Sequence, residues 1–164
     1  MKKVGVIMGS DSDLPIIRKA TATLDTLEIP YEVHIYSAHR TPNEAGDFAR
    51  NARDNGFGVL IAAAGMAAHL AGAVAANTTL PVIGIPCASS NLDGIDALLS
   101  TVQMPSGIPV ATVAIGGGVN AALLSAQILA LSEPALAEKL ENKRKSDAEA
   151  VLKKDAAVAE EFNK

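Results

Sequence analysis

Tryptophan is missing from this sequence, and two tyrosines and three phenylalanines hold the aromatic share to 3%. The core must therefore be assembled from Ala, Val, Ile and Leu. Side chains of that size let helices lie close to a sheet but bury little area each. Aromatic walls for a flavin and stacking platforms for single-stranded nucleic acid are equally scarce. Cysteine occurs once, as Cys87, which rules out a disulfide within the chain and fits a reducing, cytoplasmic setting. Positive charge is in deficit: 14 Lys and Arg face 18 Asp and Glu, a formal net charge of -4. With no basic stripe, nucleic acid is not an expected partner. Three histidines and one cysteine show no metal-ligand spacing.

Long membrane-type runs are also wanting. The nearest is FGVLIAAAGMAAHLAGAVAA, from Phe57 to Ala76. It is rich in Ala and Gly, contains His69 and is broken at Gly65, so strand, tight turn and helix is the better reading, and no membrane partner is expected. The opening MKKVGVIMGSDSD turns acidic before an apolar stretch develops and reads as a first strand, not a signal peptide. Neither a P-loop nor a G-x-G-x-x-G follows that strand. A receiver-type phosphoacceptor needs an aspartate at the end of the third strand, where AAAG stands.

What is present is a regular alternation. The chain has 164 residues, 49% hydrophobic and 20% charged, enough for one domain with a full core. KVGVIM, YEVHIYS, GVLIAAA, PVIGIP and VATVAI are short apolar runs of the buried parallel type. Helical stretches follow each: one to about Glu28, then Pro42 to Asn55, about Ala67 to Ala76, DGIDALLSTVQ, and GGGVNAALLSAQILAL. Thr41 before Pro42, with Glu44 three residues on, reads as a capping box opening the second helix. Five β-α repeats predict a three-layer α/β fold, a parallel sheet with helices on both faces in the flavodoxin-like strand order 2-1-3-4-5. The expected domain is single: an α/β core over 1–133 and a helical extension over 134–164. That extension is polar, with a thin apolar stripe of Leu136, Leu140, Val151, Leu152, Val158 and Phe162. It is expected to pack on a neighbouring subunit.

Three loops should converge where the strand order switches. In GSDSD, Ser10 and Ser12 can cap the first helix and turn its amides toward a phosphate, while Asp13 suits a ribose hydroxyl. The same stretch also reads as a plain N-cap with dipole-favourable acids. In SAHRTP, Arg40 supplies positive charge for a phosphate, and His39 can give and take a proton near neutrality. A cation at the positive end of a helix is unfavourable without a bound anion, which favours the functional reading. In AGMAAHL, Gly65 lets backbone approach a ligand, small apolar side chains make a dry pocket, and His69 reads as a ligand residue or as a satisfied structural histidine. His34 and Cys87 read as structural. Gly116 to Gly118 either line a ligand or only make a turn.

MGSDSD, VHIYSAHRTP, AGMAAHLAG, LPVIGIP, DALLSTVQMPSGIPVATVAI and NAALLSAQILAL, in this order, resemble the class I N5-carboxyaminoimidazole ribonucleotide mutase (PurE) family of de novo purine biosynthesis. The resemblance covers almost the whole chain. It implies a homo-octamer whose sites are shared between subunits, with no metal, ATP or organic cofactor. It implies that Ser10, Ser12, Asp13 and Arg40 bind the ribonucleotide and that Ser37 and Gly65 lie near the migrating carboxylate. His69 and Leu70 would line the pocket, and His39 would carry the proton. AAHL at Ala67 to Leu70 looks like class I. The rival is the class II carboxylase, which adds CO2 directly to aminoimidazole ribonucleotide. Other rivals are a related carboxylase domain for another nucleotide-like acceptor and a non-catalytic binding module. The chain departs from the family pattern at Met66, where glycine is usual, at Ala71, where proline is usual, and in the shorter GGGVN loop.

Overall fold

A computed structural model describes residues 1–163. Strands β1 (Lys3–Met8), β2 (Tyr31–Ile35), β3 (Phe57–Ala64), β4 (Val82–Pro86) and β5 (Ala111–Thr112) form one sheet in the order β2-β1-β3-β4-β5. Every pairing is parallel. Helices α1 (Leu14–Thr26), α2 (Pro42–Asn51), α3 (Leu70–Ala75), α4 (Ile95–Val102), α5 (Gly118–Ala130) and α6 (Pro134–Phe162) complete it. The predicted fold class and strand order are both observed.

The alternation of side chains along each strand divides the core into two layers. Val4, Val6 and Met8 of β1, Val59, Ile61 and Ala63 of β3, and Ile83 and Ile85 of β4 face α1, α5 and the start of α6. Ile7, Leu60, Ala62 and Val82 point the other way, toward α2 and α3. Because helices cover both faces, the central strands are apolar at nearly every position. Burying each such Val, Ile or Leu contributes roughly 1.5–3 kcal/mol. Close approach is achieved with glycine. A Cβ on Gly84 would collide with Thr101 of α4, and a Cβ on Gly118 would collide with the Ile16 carbonyl oxygen of α1.

Several boundaries differ from the expected ones. The fifth strand pairs over two residues, not the whole of VATVAI. It is an edge strand, Pro109 offers no donor two residues before it, and beyond Thr112 only isolated bonds, from the Val113 and Gly116 amides to Gly84 O and Pro86 O, hold the chain to β4 before Gly116 turns it at φ 69°. Helix α2 stops at Asn51, because the chain closes through Phe57 N–H to Ala52 O and turns at Gly56, φ 82°. Helix α3 begins at Leu70, since Ala67 is held at φ 51° and cannot continue a right-handed helix. The capping box is not formed: the Thr41 hydroxyl turns back to Ser37 and leaves the helix end uncapped by a side chain. Gly116 to Gly118 serve as the turn into α5 and the contact with α1. In α6, Leu136 is buried and Leu140 is packed against the core, while Val151, Leu152, Val158 and Phe162 are exposed. Lys164, the last residue of the expected extension, lies outside the described residues. Among the described residues no helix is long and apolar enough to cross a membrane.

The Gly118 contact is with backbone, which cannot rotate away. Gly118→Ala is expected to lower stability by about 1–3 kcal/mol, read as a reduced urea midpoint with an unchanged slope.

Candidate functional site

A cavity of about 590 Å³ opens at the carboxyl ends of the strands, over the β1–β3 switch point. Its walls are Gly9, Ser10, Ser12 and Asp13 after β1, Ser37 to Arg40 after β2, Ala64 to Ala67 with His69 and Leu70 after β3, and Ala88 and Ser89 after β4. The sheet order makes this convergence unavoidable, because all these loops leave the same edge. Every residue singled out from the sequence as catalytic or substrate-binding lies in this wall. Sequence reasoning missed the fourth loop: it reached Cys87 as a packed thiol but not Ala88 and Ser89. The available signal was the end of PVIGIP, which must reach the same edge as the other strands.

The Ser37–Thr41 turn is closed by its own hydrogen bonds. The amides of His39 and Arg40 donate to Ser37 Oγ at 3.3 and 3.2 Å. The Ser37 amide donates to Thr41 Oγ1 at 2.8 Å, and the Thr41 amide donates to Ser37 O at 2.9 Å. The His39 and Arg40 side chains are thus presented from a fixed backbone, and both residues are exposed. Arg40 Nη2 donates to Gly9 O at 2.7 Å, tying the second loop to the first. That bond uses one edge of the guanidinium and leaves further donors for an anion. Among the described residues the His39 ring has no hydrogen-bond partner, so both ring nitrogens are available for proton transfer.

In the first loop Ser10 caps a short 3-10 turn, Asp11–Asp13, by accepting from the Ser12 amide at 3.3 Å. Ser12 therefore caps nothing, and α1 starts at Leu14 with Asp13 in the cap position but making no capping bond. Asp13 as a residue is 7% exposed and belongs to the cavity wall. Burial raises its proton affinity above the ordinary carboxylate value, and the neighbouring Cys87 thiol opposes that shift. Cys87 itself is pushed up to about 12 by burial and by the negative charge of Asp13. It stays a thiol at neutral pH, which agrees with its reading as a packed residue rather than a nucleophile.

The third loop is shaped by backbone. At Gly65 an added Cβ would meet only Cys87 O, at an ordinary 3.7 Å. Packing within the chain does not demand glycine there, so the space it leaves belongs to the cavity. His69 occupies the N-cap of α3 rather than a place one turn inside, and its ring lies over Gly72, where any Cβ would strike it. Leu70 is 3% exposed and joins the cavity to the core. His34, read as structural, stacks on Tyr36 with ring centroids 5.0 Å apart on the edge strand, away from the cavity.

A larger groove of about 900 Å³ lies at the opposite, amino end of the strands. Its arginines are already engaged: Arg50 donates to Asn77 and Asp47, and Arg53 to Thr79. These bonds fasten helix ends and do not assemble a reactive set.

The buried Asp13 carboxyl has a consequence for stability. Its folded-state pKa is above the unfolded value, so between the two the folded protein holds more protons, and stability falls as pH rises through that window. Above that window the ionised carboxylate is destabilising. Asp13→Asn is expected to raise Tm at pH 7, with the gain shrinking below the ordinary carboxylate range. Calorimetry across pH checks this, and a lower Tm at pH 7 would remove the assignment.

The model of the family described as AIR carboxylase matches residues 3–150. The chain is 54% identical to N5-carboxyaminoimidazole ribonucleotide mutase of Pyrococcus abyssi over 144 residues, 88% of this chain and 83% of that one. It is 53% identical to the Bacillus subtilis protein of the same name over 151 residues, 91% and 93% of the two chains. The crystal structure of Treponema denticola PurE superposes with a TM-score of 0.86 at 30% identity, covering 94% of this chain and 96% of that one. Since the family match runs from β1 into α6 and takes in every loop of the cavity wall, the chain belongs to the AIR carboxylase family.

Proposed function

We propose that this protein is a mutase that converts N5-carboxyaminoimidazole ribonucleotide to 4-carboxy-5-aminoimidazole ribonucleotide in cytoplasmic de novo purine biosynthesis. The observation that carries the reading is one cavity holding an unpartnered imidazole, a guanidinium with free donors and a buried carboxylate. Its volume lies within the range of small-molecule sites. Arg40, Ser10 and Ser12 take the phosphate end, Asp13 takes a ribose hydroxyl, and Ser37 and Gly65 flank the carboxylate that moves. His69 and Leu70 close the wall. No resident metal or cofactor is invoked.

The chemistry follows from those positions. His39 as imidazolium protonates the exocyclic nitrogen while the N–C bond to the carboxylate breaks. The bonding pair stays on nitrogen and CO2 is freed. The ring C4 is enamine-like; its electron pair forms a new bond to the trapped CO2. The C4 proton then returns to His39, and atoms and charge balance over the cycle. One histidine thus acts as general acid and then as general base. Confinement of CO2 keeps recarboxylation effectively unimolecular.

The mutase reading is supported over direct carboxylation by the AAHL segment and by the names of relatives 50–54% identical to the chain. The test is turnover in two parallel tubes without ATP or metal. One holds the N-carboxylated ribonucleotide; the other holds aminoimidazole ribonucleotide with CO2. Product in the first tube only is expected, and product in the second only would make the protein a class II carboxylase. His39→Asn is expected to fold and bind ribonucleotide but to lose at least about 10²–10⁴-fold in kcat; wild-type turnover would end its role.

The same reading includes a homo-octamer. Exposed apolar side chains on α4 (Ile95, Leu99 and Val102) and on α6 (Val151, Leu152 and Val158) support burial against further copies. Eight copies are expected by sedimentation equilibrium, and a monomer at assay concentration would refute the assembly.

A further inference from the structure

Of the large apolar side chains exposed among the described residues, Met66 alone belongs to the cavity wall. It is 66% exposed, beside Leu70 at 3% in the same wall. The backbone next to it is strained: Ala67 is held at φ 51°, a left-handed conformation that a residue with a Cβ adopts at a cost. The turn is fixed by the His69 amide donating to Ala67 O at 2.7 Å. It forces Met66 out to the mouth instead of letting α3 begin earlier and draw it into the wall. Gly65, just before it, leaves the cavity side open: apart from its two chain neighbours, the nearest described atom to the place a Cβ would take is Cys87 O at 3.7 Å. A flexible thioether is therefore poised at the mouth of a site whose other exposed side chains are polar or no larger than alanine.

Resting on the mutase reading, we propose that Met66 is a covering residue, whose side chain folds over the bound ribonucleotide and seals freed CO2 from solvent. Three rotatable bonds let the side chain fit an irregular surface, and its polarisable sulfur makes favourable contact with an aromatic ring, here the imidazole of the substrate. With the thioether in place, the CO2 released from nitrogen stays beside C4 until the new bond forms. Where the family pattern has glycine, this chain adds a cover over the mouth for the interval between the two steps. Met66 neither gives nor takes a proton, so its effect falls on how the intermediate partitions.

The experiment uses the intact protein and substrate labelled with 13C in the migrating carboxylate, in unlabelled bicarbonate with carbonic anhydrase present. Label retained in the C4-carboxylated product is measured by mass spectrometry, together with aminoimidazole ribonucleotide released per turnover, after correction for spontaneous decarboxylation. Wild type is expected to retain the label. Met66→Gly is expected to lose it several-fold more often and to release more decarboxylated ribonucleotide. Met66→Leu, which restores bulk, should recover retention. The exposed position predicts little change in Tm for either variant. Equal retention in wild type and Met66→Gly overturns the proposal, as does a change of assembly mass in Met66→Gly, which would make Met66 a subunit contact. A wild-type protein that makes no product defeats the mutase reading and this inference with it; wild-type turnover with unchanged partitioning defeats the inference alone.

Discussion

Parallel pairing of β1 with β2 on one side and β3 on the other is the constraint from which the rest follows. A parallel pair cannot be closed by a short hairpin, so each connection must return across a face of the sheet as a helix. With β1 paired on both sides, those helices leave in opposite directions and cover opposite faces. The loops that begin them are left side by side at the carboxyl edge. Gly9 to Asp13, Ser37 to Arg40 and Ala64 to Leu70 meet for that reason alone, although they lie far apart in the chain. The bond from Arg40 to Gly9 O then fixes the distance between the first two.

The sheet holds its helices with small side chains. Where bulk would ordinarily fill the interface, Gly84 and Gly118 let Thr101 and the backbone of α1 come into direct contact. Such packing is intolerant, since an added methyl meets a buried side chain at Gly84 and backbone that cannot move away at Gly118. It also leaves unburied apolar stripes on α4 and α6, which a chain with so few aromatic residues does not cover by itself. At the opposite extreme, Gly65 meets no such restriction from its own chain, and its freedom belongs to the cavity.

Much of the architecture was legible because it rests on local patterns. Short apolar runs separated by helical stretches gave five strands in the observed order. SAHRTP and AGMAAHL identified two of the loops that meet in the cavity wall. Legibility failed where a local signal met a competing partner. Thr41, Pro42 and Glu44 have the pattern of a capping box, yet the Thr41 hydroxyl finds Ser37 instead. VATVAI has strand composition throughout, yet an edge strand with one neighbour pairs over two residues. Ser12 has a capping residue's chemistry, but the 3-10 turn displaces it from the helix end.

The sequence by itself determined the α/β class, the strand order, the placement of His39, Arg40 and Asp13 on converging loops, and the membership of Gly65, His69 and Leu70 in the same site. Each follows from periodicity, from turn residues or from recognisable motif order, which are properties of neighbours along the chain. Only the tertiary structure decided that Cys87 lies against Asp13, that the loop after β4 completes the wall, and that Met66 stands exposed at the mouth. Those are matters of burial and backbone torsion set by contacts between distant segments. A residue's own identity and its neighbours carry no record of which distant atom it will meet.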